Sequence, residues 1–263
     1  MGKVIGVVSV KGGVGKTSSV VSLGHALSGI KKRVLLVDGN LSSPNLGIHL
    51  KIIDPEVSLH HVLSRMANIG DSIHKLADFD VIPSTIFNNL KTNPFELKDK
   101  IKPLKRRYDF ILIDSSPALN SETLAVFFAA DEIVIVTTPD VPTLSATLKT
   151  IKMAKKRKIP IMGMVLNKVY DEKFELSIDD IEKTTGVPVL AVVPYDKHVL
   201  KALSEFTPYT DYKPKSKGSV EFKKLAGVLA GQKYKPFSLR NTFGLTPKRQ
   251  EINREIFYDR VFG

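Results

Sequence analysis

The chain contains no cysteine. That excludes a disulfide framework, a thiolate metal site and a cysteine-ligated iron–sulfur cluster, and it fits a reducing compartment. No stretch approaches the roughly 20 apolar residues of a membrane span, and the N-terminus enters a hydrophobic strand directly instead of forming a signal peptide. Met1-Gly2 is not a myristoylation start, because Gly6 stands where Ser or Thr is required. A cytoplasmic protein is expected. The six histidines, His60-His61 included, do not cluster with carboxylates at ligand spacing and read as ordinary surface or core residues. No Gly/Ser/Pro linker, internal repeat or low-complexity segment precedes the tail, so 263 residues imply one α/β domain large enough to bury a core. Acidic residues are in deficit, 27 against 39 Lys and Arg, for a formal charge of +12. Such a surplus attracts polyanions, nucleic acid or an acidic membrane surface, and says nothing about fold; a lysine-rich solvated surface supplies the same surplus.

What is present begins with Val4 to Thr17, VIGVVSVKGGVGKT. The Val/Ile run reads as a buried parallel strand, and Ser18 to Leu27 has helical spacing. Strand, glycine loop and helix form the setting of a phosphate-binding loop. The strict G-x-x-x-x-G-K-T pattern fails because Val10 occupies its first glycine, whereas Lys11-Gly12-Gly13-Val14-Gly15-Lys16-Thr17 repairs the match and adds a second lysine. Glycines at 12, 13 and 15 let successive N–H groups turn inward around an anion, and the helix N-terminus adds its positive end at the same point. Lys16 is expected on the β- and γ-phosphates, and the Thr17 hydroxyl on Mg²⁺.

Further along, Val34 to Val37 reads as a second buried strand ending at Asp38, followed by the polar, turn-rich Gly39 to Gly47. Open α/β sheets place ligands at such carboxyl ends, so this segment reads as a switch loop. Phe110 to Ile113 ends in Asp114, aimed at the Mg²⁺ shell. Helices are expected at Ser58–Met66, at Pro94–Arg107 with a break near Pro103, and at Ser121–Ala130, Pro142–Lys156, Ser177–Thr185, Lys197–Glu205 and Ser219–Ala230. Strands are expected at Phe79–Ile82, Ile133–Thr137, Ile161–Leu166 and Val187–Val193. This alternation predicts a mostly parallel sheet with helices on both faces, in one domain spanning 1–231. Residues 232–263 read as a basic tail: a linker or draped segment from Gln232 to Pro247, then a helix over Lys248–Phe262 with Ile252, Ile256, Val261 and also Phe257 and Tyr258 toward one side, a helix that equally reads as packed on its own domain.

With these motifs in place, the chain resembles the MinD/ParA family of deviant-Walker P-loop ATPases from Val4 to about Ala230. Lys11 to Thr17 is similar to the signature loop, and Asp38 to Leu46 and Asp114 to Ala118 to the two switches. Val165 to Lys168, Gly186 to Leu190 and Val193-Pro194 are similar to the MinD branch. The resemblance implies ATP and Mg²⁺, with Gly12 through Ser18 around the phosphates and Thr17, Asp38 and Asp114 at the metal. Asn167 is expected to read the adenine edge beside Pro194. It also implies an ATP-dependent sandwich homodimer in which Lys11 reaches the phosphates across the interface. The family's D-x-D becomes Asp38-Gly39-Asn40 here. An amide positions a water by hydrogen bond but does not accept its proton, so binding with weak hydrolysis is expected, with Lys11, Lys16 and Asn40 as the catalytic set.

Three readings of the output follow. A MinD-like switch serves spatial positioning, recruiting a protein partner or activator and a membrane surface through 248–263, which makes it peripheral at the membrane. A ParA-like switch binds DNA non-specifically through Lys149, Lys152, Lys155, Lys156, Arg157 and Lys158, a row that also reads as a solvated helix face. A non-hydrolysing adaptor uses nucleotide only to set its shape.

Overall fold

A computed structural model describes residues 1–87, 90–170, 173–232 and 247–263. The expected alternation is present. Strands are β1 (Lys3–Val8), β2 (Val34–Asp38), β3 (His74–Lys75), β4 (Asp80–Ile82), β5 (Phe110–Asp114), β6 (Glu132–Thr137), β7 (Ile161–Val169) and β8 (Val189–Pro194). Between them run α1 (Lys16–Gly29), α2 (Leu46–His49), α3 (Leu59–Leu63), α4 (Leu97–Ile101), α5 (Ser121–Ala129), α6 (Val141–Lys156) and α7 (Ile178–Thr185). After β8 come α8 (His198–Ser204), α9 (Tyr209–Tyr212), α10 (Lys217–Leu229) and a terminal α11 (Arg249–Phe262).

The eight strands form one sheet in the order β3-β4-β2-β5-β1-β6-β7-β8, parallel throughout except for the β3–β4 pair. Side chains alternate across the strands, so one hydrophobic run supplies two cores. Ile5, Val7, Val34 and Leu36 face α1 and α10; Val4, Val8, Leu35 and Val37 face the layer that holds α3, α4, α5 and α6. Register places the site. Val7 pairs with Asp114 and Asp114 with Asp38, so the ends of β1, β5 and β2 form one row at the carboxyl edge. The chain winds from β1 toward β2 on one side and returns through β5 to β6 on the other. That reversal of strand order is where an open α/β sheet leaves a crevice.

Several expectations are corrected. The Ser58–Met66 helix contracts to α3 over Leu59–Leu63, with Ser58 and His61 forming its capping box. Pro94–Arg107 breaks at Pro103 as expected, where the missing backbone donor leaves a 3₁₀ turn, but it also opens on a 3₁₀ turn at Pro94–Glu96 before α4. The short α2 and α9 and the two-residue β3 carry too few residues to show a period, and none was expected. Gln232 to Pro247 falls largely outside the described residues.

The terminal helix follows its apolar pattern only in part, since Phe257 is buried and Tyr258 packs against the core. Gln250, Glu251, Asn253, Arg254 and Phe257 are buried while Ile256 is 60% exposed. The reason is the open edge of β8, whose unpaired backbone groups need partners. Asn253 Nδ2 donates to Val189 O at 2.8 Å and Arg254 Nη1 to Leu190 O at 2.9 Å. Glu182 Oε1 accepts from Val189 N at 2.7 Å. The polar face therefore points inward, and Phe257 joins the core beside α10.

Candidate functional site

Gly15 closes the loop and caps α1 in the left-handed region at φ 86°, where a Cβ would stand 2.3 Å from Asn167 Nδ2. Only glycine meets both demands. The helix that follows puts Lys16 and Thr17 directly over the end of β5. Lys16 Nζ donates to Asp114 Oδ1 at 2.5 Å and Thr17 Oγ1 to Asp114 Oδ2 at 2.6 Å. Lys16, Asp38 and Asp114 are all buried.

Asp38 sits in the same row but faces the switch loop. Its Oδ1 accepts from Asn40 N at 3.2 Å, and its Oδ2 from Asn45 N at 3.1 Å and Leu46 N at 2.9 Å. Burial pushes its carboxyl up to about 8, with the charge of Asp114 adding and the N–H groups and Lys16 opposing. Ionising Asp38 beside Asp114 and a single buried ammonium would leave an excess of negative charge in a low-dielectric site, which is what holds its proton on. A hydroxyl and two carboxylates from Thr17, Asp114 and Asp38 are hard oxygen donors of the kind Mg²⁺ takes, and a divalent cation cancels that excess. The residues present fit the metal.

One cavity of about 530 Å³ gathers Lys11, Gly12, Gly13, Val14, Gly15, Lys16, Thr17, Ser18, Asn40, Asn167 and Pro194, while Asp38 and Asp114 lie outside its lining. Asn167 Nδ2 donates to Val14 O and Lys168 Nζ to Gly13 O, each at 2.7 Å, so the end of β7 braces the phosphate loop. One N–H of the Asn167 amide is thus engaged, which leaves its second N–H and its oxygen for other partners. Asn40 is 2% exposed; its Nδ2 donates to Ser43 O, and its Oδ1 is buried without a hydrogen-bond partner. A buried acceptor of this kind carries a desolvation cost of about 1–3 kcal/mol until a donor arrives.

Lys11 departs from the rest of the loop. Its Nζ donates to Thr143 Oγ1 at 2.7 Å and Asp140 Oδ1 at 3.3 Å, at the start of α6. Asp140 also caps α6 by accepting from Thr143 N. Burial tends to raise its carboxyl, but hydrogen bonds from Thr138, Thr143 and Lys11 outweigh that and hold it at about 2.

Sequence reasoning missed Asn45, His49, Tyr195, Asp196, Val199 and Leu200, which also line the cavity. The signal was available for the last four, since they follow the carboxyl end of β8 at the same edge as the phosphate loop. Asp140 and Thr143 had only the N-cap signature.

Glycine loop, helix N-terminus, buried lysine and paired Thr17–Asp114 define a P-loop nucleotide-binding protein. Comparison with known proteins gives its family. A family profile described as an AAA domain matches residues 2–163, and one described as a NUBPL iron-transfer P-loop NTPase matches 104–230. An uncharacterized ATP-binding protein of Methanocaldococcus jannaschii is 33% identical over 261 residues, 98% of this chain and 96% of that protein. The structure of the cell division ATPase MinD of Pyrococcus furiosus superposes with a TM-score of 0.81 at 37% identity, covering 86% of this chain and 97% of that one. The septum site-determining protein MinD of Pyrococcus horikoshii, complexed with Mg-ADP, gives 0.82 at 33% identity, over 87% of this chain and 96% of that one. The chain belongs to the MinD/ParA family of P-loop ATPases.

Proposed function

We propose that the protein is a MinD-like ATP switch that binds Mg-ATP, pairs face to face with a second copy and hydrolyses slowly. The observation that carries this reading is Lys11. Its ammonium lies against Asp140 and Thr143 instead of its own glycine loop, with its side chain 42% exposed. A cation held outside its own loop is placed to complete another site once it exchanges Asp140 and Thr143 for phosphate, where it neutralises charge developing on a departing phosphoryl group. Thr17 and Asp114, with Asp38 behind them, are the residues to hold Mg²⁺, which supplies positive charge to the phosphate oxygens, as the Mg-ADP found in the P. horikoshii relative supports.

Lys16 grips the phosphates, the N–H groups from Gly12 to Thr17 line them, and Asn167 with Pro194 meets the base. Asn40 offers its unpartnered Oδ1 to a water beside the phosphates. That oxygen orients a water but takes no proton from it, so turnover is slow. Spatial positioning through a protein partner or activator is the role that fits a cytoplasmic switch of this kind. An iron-transfer role fits poorly, because the chain has no thiolate. A second reading, non-specific DNA binding through 149–158, is favoured by one observation: Lys149, Lys152, Lys155, Lys156 and Lys158 are all exposed along α6 and its end. The docked polar face of α11 argues against its release as a membrane anchor.

Sedimentation of the full chain with Mg-ATP, Mg-ADP and no nucleotide tests the switch. A dimer with ATP alone, lost in Lys11→Ala, is expected; a monomer under all three conditions refutes the pairing. DNA co-sedimentation of the ATP form at low and high salt tests the second reading, and absence of binding at low salt ends it.

A further inference from the structure

The strands that frame the base end of the cavity stop together. Val169 at the end of β7 pairs with Pro194 at the end of β8, and Tyr195 N donates to Val169 O at 2.9 Å. The next residue on each strand is a tyrosine. Their backbones run side by side at strand spacing, so the two rings come to lie face to face. The centroids of Tyr170 and Tyr195 are 4.8 Å apart and the planes differ by 19°.

Tyr195 lines the nucleotide cavity, with Pro194, Val199 and Leu200 around it, whereas Tyr170 does not. Tyr170 instead lines a smaller cavity of about 300 Å³ on the other side of the phosphate loop, with Lys11 and Phe174. Tyr170 therefore backs Tyr195 on the side away from the nucleotide. Tyr170 is 53% and Tyr195 46% exposed, a placement that leaves apolar area in water unless something flat covers it.

We propose that Tyr195, backed by Tyr170, is the platform on which a purine base stacks, so that base, Tyr195 and Tyr170 form a three-layer stack. This rests on the nucleotide-binding reading above and adds a specificity-determining residue to it. The stack gives the site affinity for a nucleoside beyond that of its phosphates, and Asn167 then contributes edge recognition to a base already held by its face. Val199 and Leu200 close the apolar end of the slot around it.

Calorimetric titration of the full-length chain with two probes, Mg-ADP and Mg-pyrophosphate, separates base from phosphate. Tyr195→Ala is expected to weaken Mg-ADP by about 5- to 30-fold, the lower part of the range for loss of a stacked base. Its Mg-pyrophosphate affinity stays within about 2-fold, Tyr195→Phe retains Mg-ADP affinity, and Tyr170→Ala weakens it by about 2- to 5-fold. A spectroscopic readout is available because the chain has no tryptophan and seven tyrosines. Mg-ADP quenches part of the tyrosine emission, and Tyr195→Phe binds while losing that part. Unchanged Mg-ADP affinity in Tyr195→Ala overturns the proposal. So does an equal loss of pyrophosphate affinity, which assigns the effect to the loop, or failure of phenylalanine to substitute, which assigns it to the hydroxyl. Thermal melts by circular dichroism establish that each variant is folded. Failure of the unaltered chain to bind either probe refutes the nucleotide reading and this inference with it, whereas binding of both with Tyr195→Ala unaffected refutes this inference alone.

Discussion

Arg254→Ala is the sharpest test of how the terminal helix is held. Arg254 is fully buried, and its Nη1 donates to Glu221 Oε2 and to Leu190 O, both at 2.9 Å. Truncation removes a buried ion pair and uncovers a backbone carbonyl at the sheet edge, while leaving Glu221 in place. Removing one partner of a buried pair costs about 3–5 kcal/mol, chiefly through the charge left behind. Two features reduce that figure here. The Glu221 side chain is 12% exposed, and Lys224 Nζ lies 3.8 Å from it, so the carboxylate retains some water and a second cation. We expect about 2–3 kcal/mol, which for a domain of this size is a fall in Tm of roughly 4–12 °C. Chemical denaturation of the wild type, Arg254→Ala, Glu221→Ala and the double variant measures it. The double variant should lose less than the sum of the single ones, with a coupling of about 1–3 kcal/mol. Additive losses below about 0.5 kcal/mol each would mean that the helix is not docked through this pair.

Four further outcomes are expected. Gly15→Ala weakens Mg-ADP binding in a titration by at least about 10-fold, because φ 86° strains any residue with a Cβ and that Cβ would push aside the Asn167 amide 2.3 Å away. Asn40→Asp raises steady-state phosphate release by about 100-fold, the low end of general base catalysis, and an unchanged rate would show that water positioning alone sets turnover. Asp140→Ala lowers stability by about 1 kcal/mol through loss of the α6 cap. It also releases one partner of Lys11, so the ATP-dependent dimer should form at lower protein concentration in sedimentation. Finally, burial tends to raise the Asp196 carboxyl, but hydrogen bonds from His198 and Tyr209 and the charge of Lys213 outweigh it, and it lies at about 2. A depressed pKa contributes stability above the unfolded value near 4 and loses it as pH falls from about 4 to about 2. Asp196→Asn should therefore flatten that part of the denaturation-versus-pH curve, by about 1–2 kcal/mol.

The sheet and the phosphate site were legible because each rests on local rules. Runs such as Phe110 to Ile113 are buried on both faces of a parallel strand and need no alternation to be recognised. The glycines, Lys16 and Thr17 are fixed by the demands of an anion at a helix N-terminus. What stayed hidden was non-local. Nothing near Lys11 in sequence announces Asp140 and Thr143, which reach it only because β1 and β6 are neighbours. Nothing near Asn40 shows that its oxygen lacks a partner. The terminal helix misled for a related reason: amphipathic pattern reports a buried face only when the surface to be covered is apolar, and the edge of β8 offers carbonyls and N–H groups.

That edge ties three parts of the molecule to one strand. β8 receives Arg254 and Asn253 at its start, ends at Pro194, and hands the chain to Tyr195 and Asp196 in the nucleotide cavity. Glu221, which holds Arg254, precedes Phe222, which lines the same cavity. The terminal helix α11 packs on β8. A helix fixed there stiffens the wall behind the base, whereas a helix released to a membrane leaves that wall with an open edge. The two demands are opposed in this chain, and the buried Arg254 favours the first.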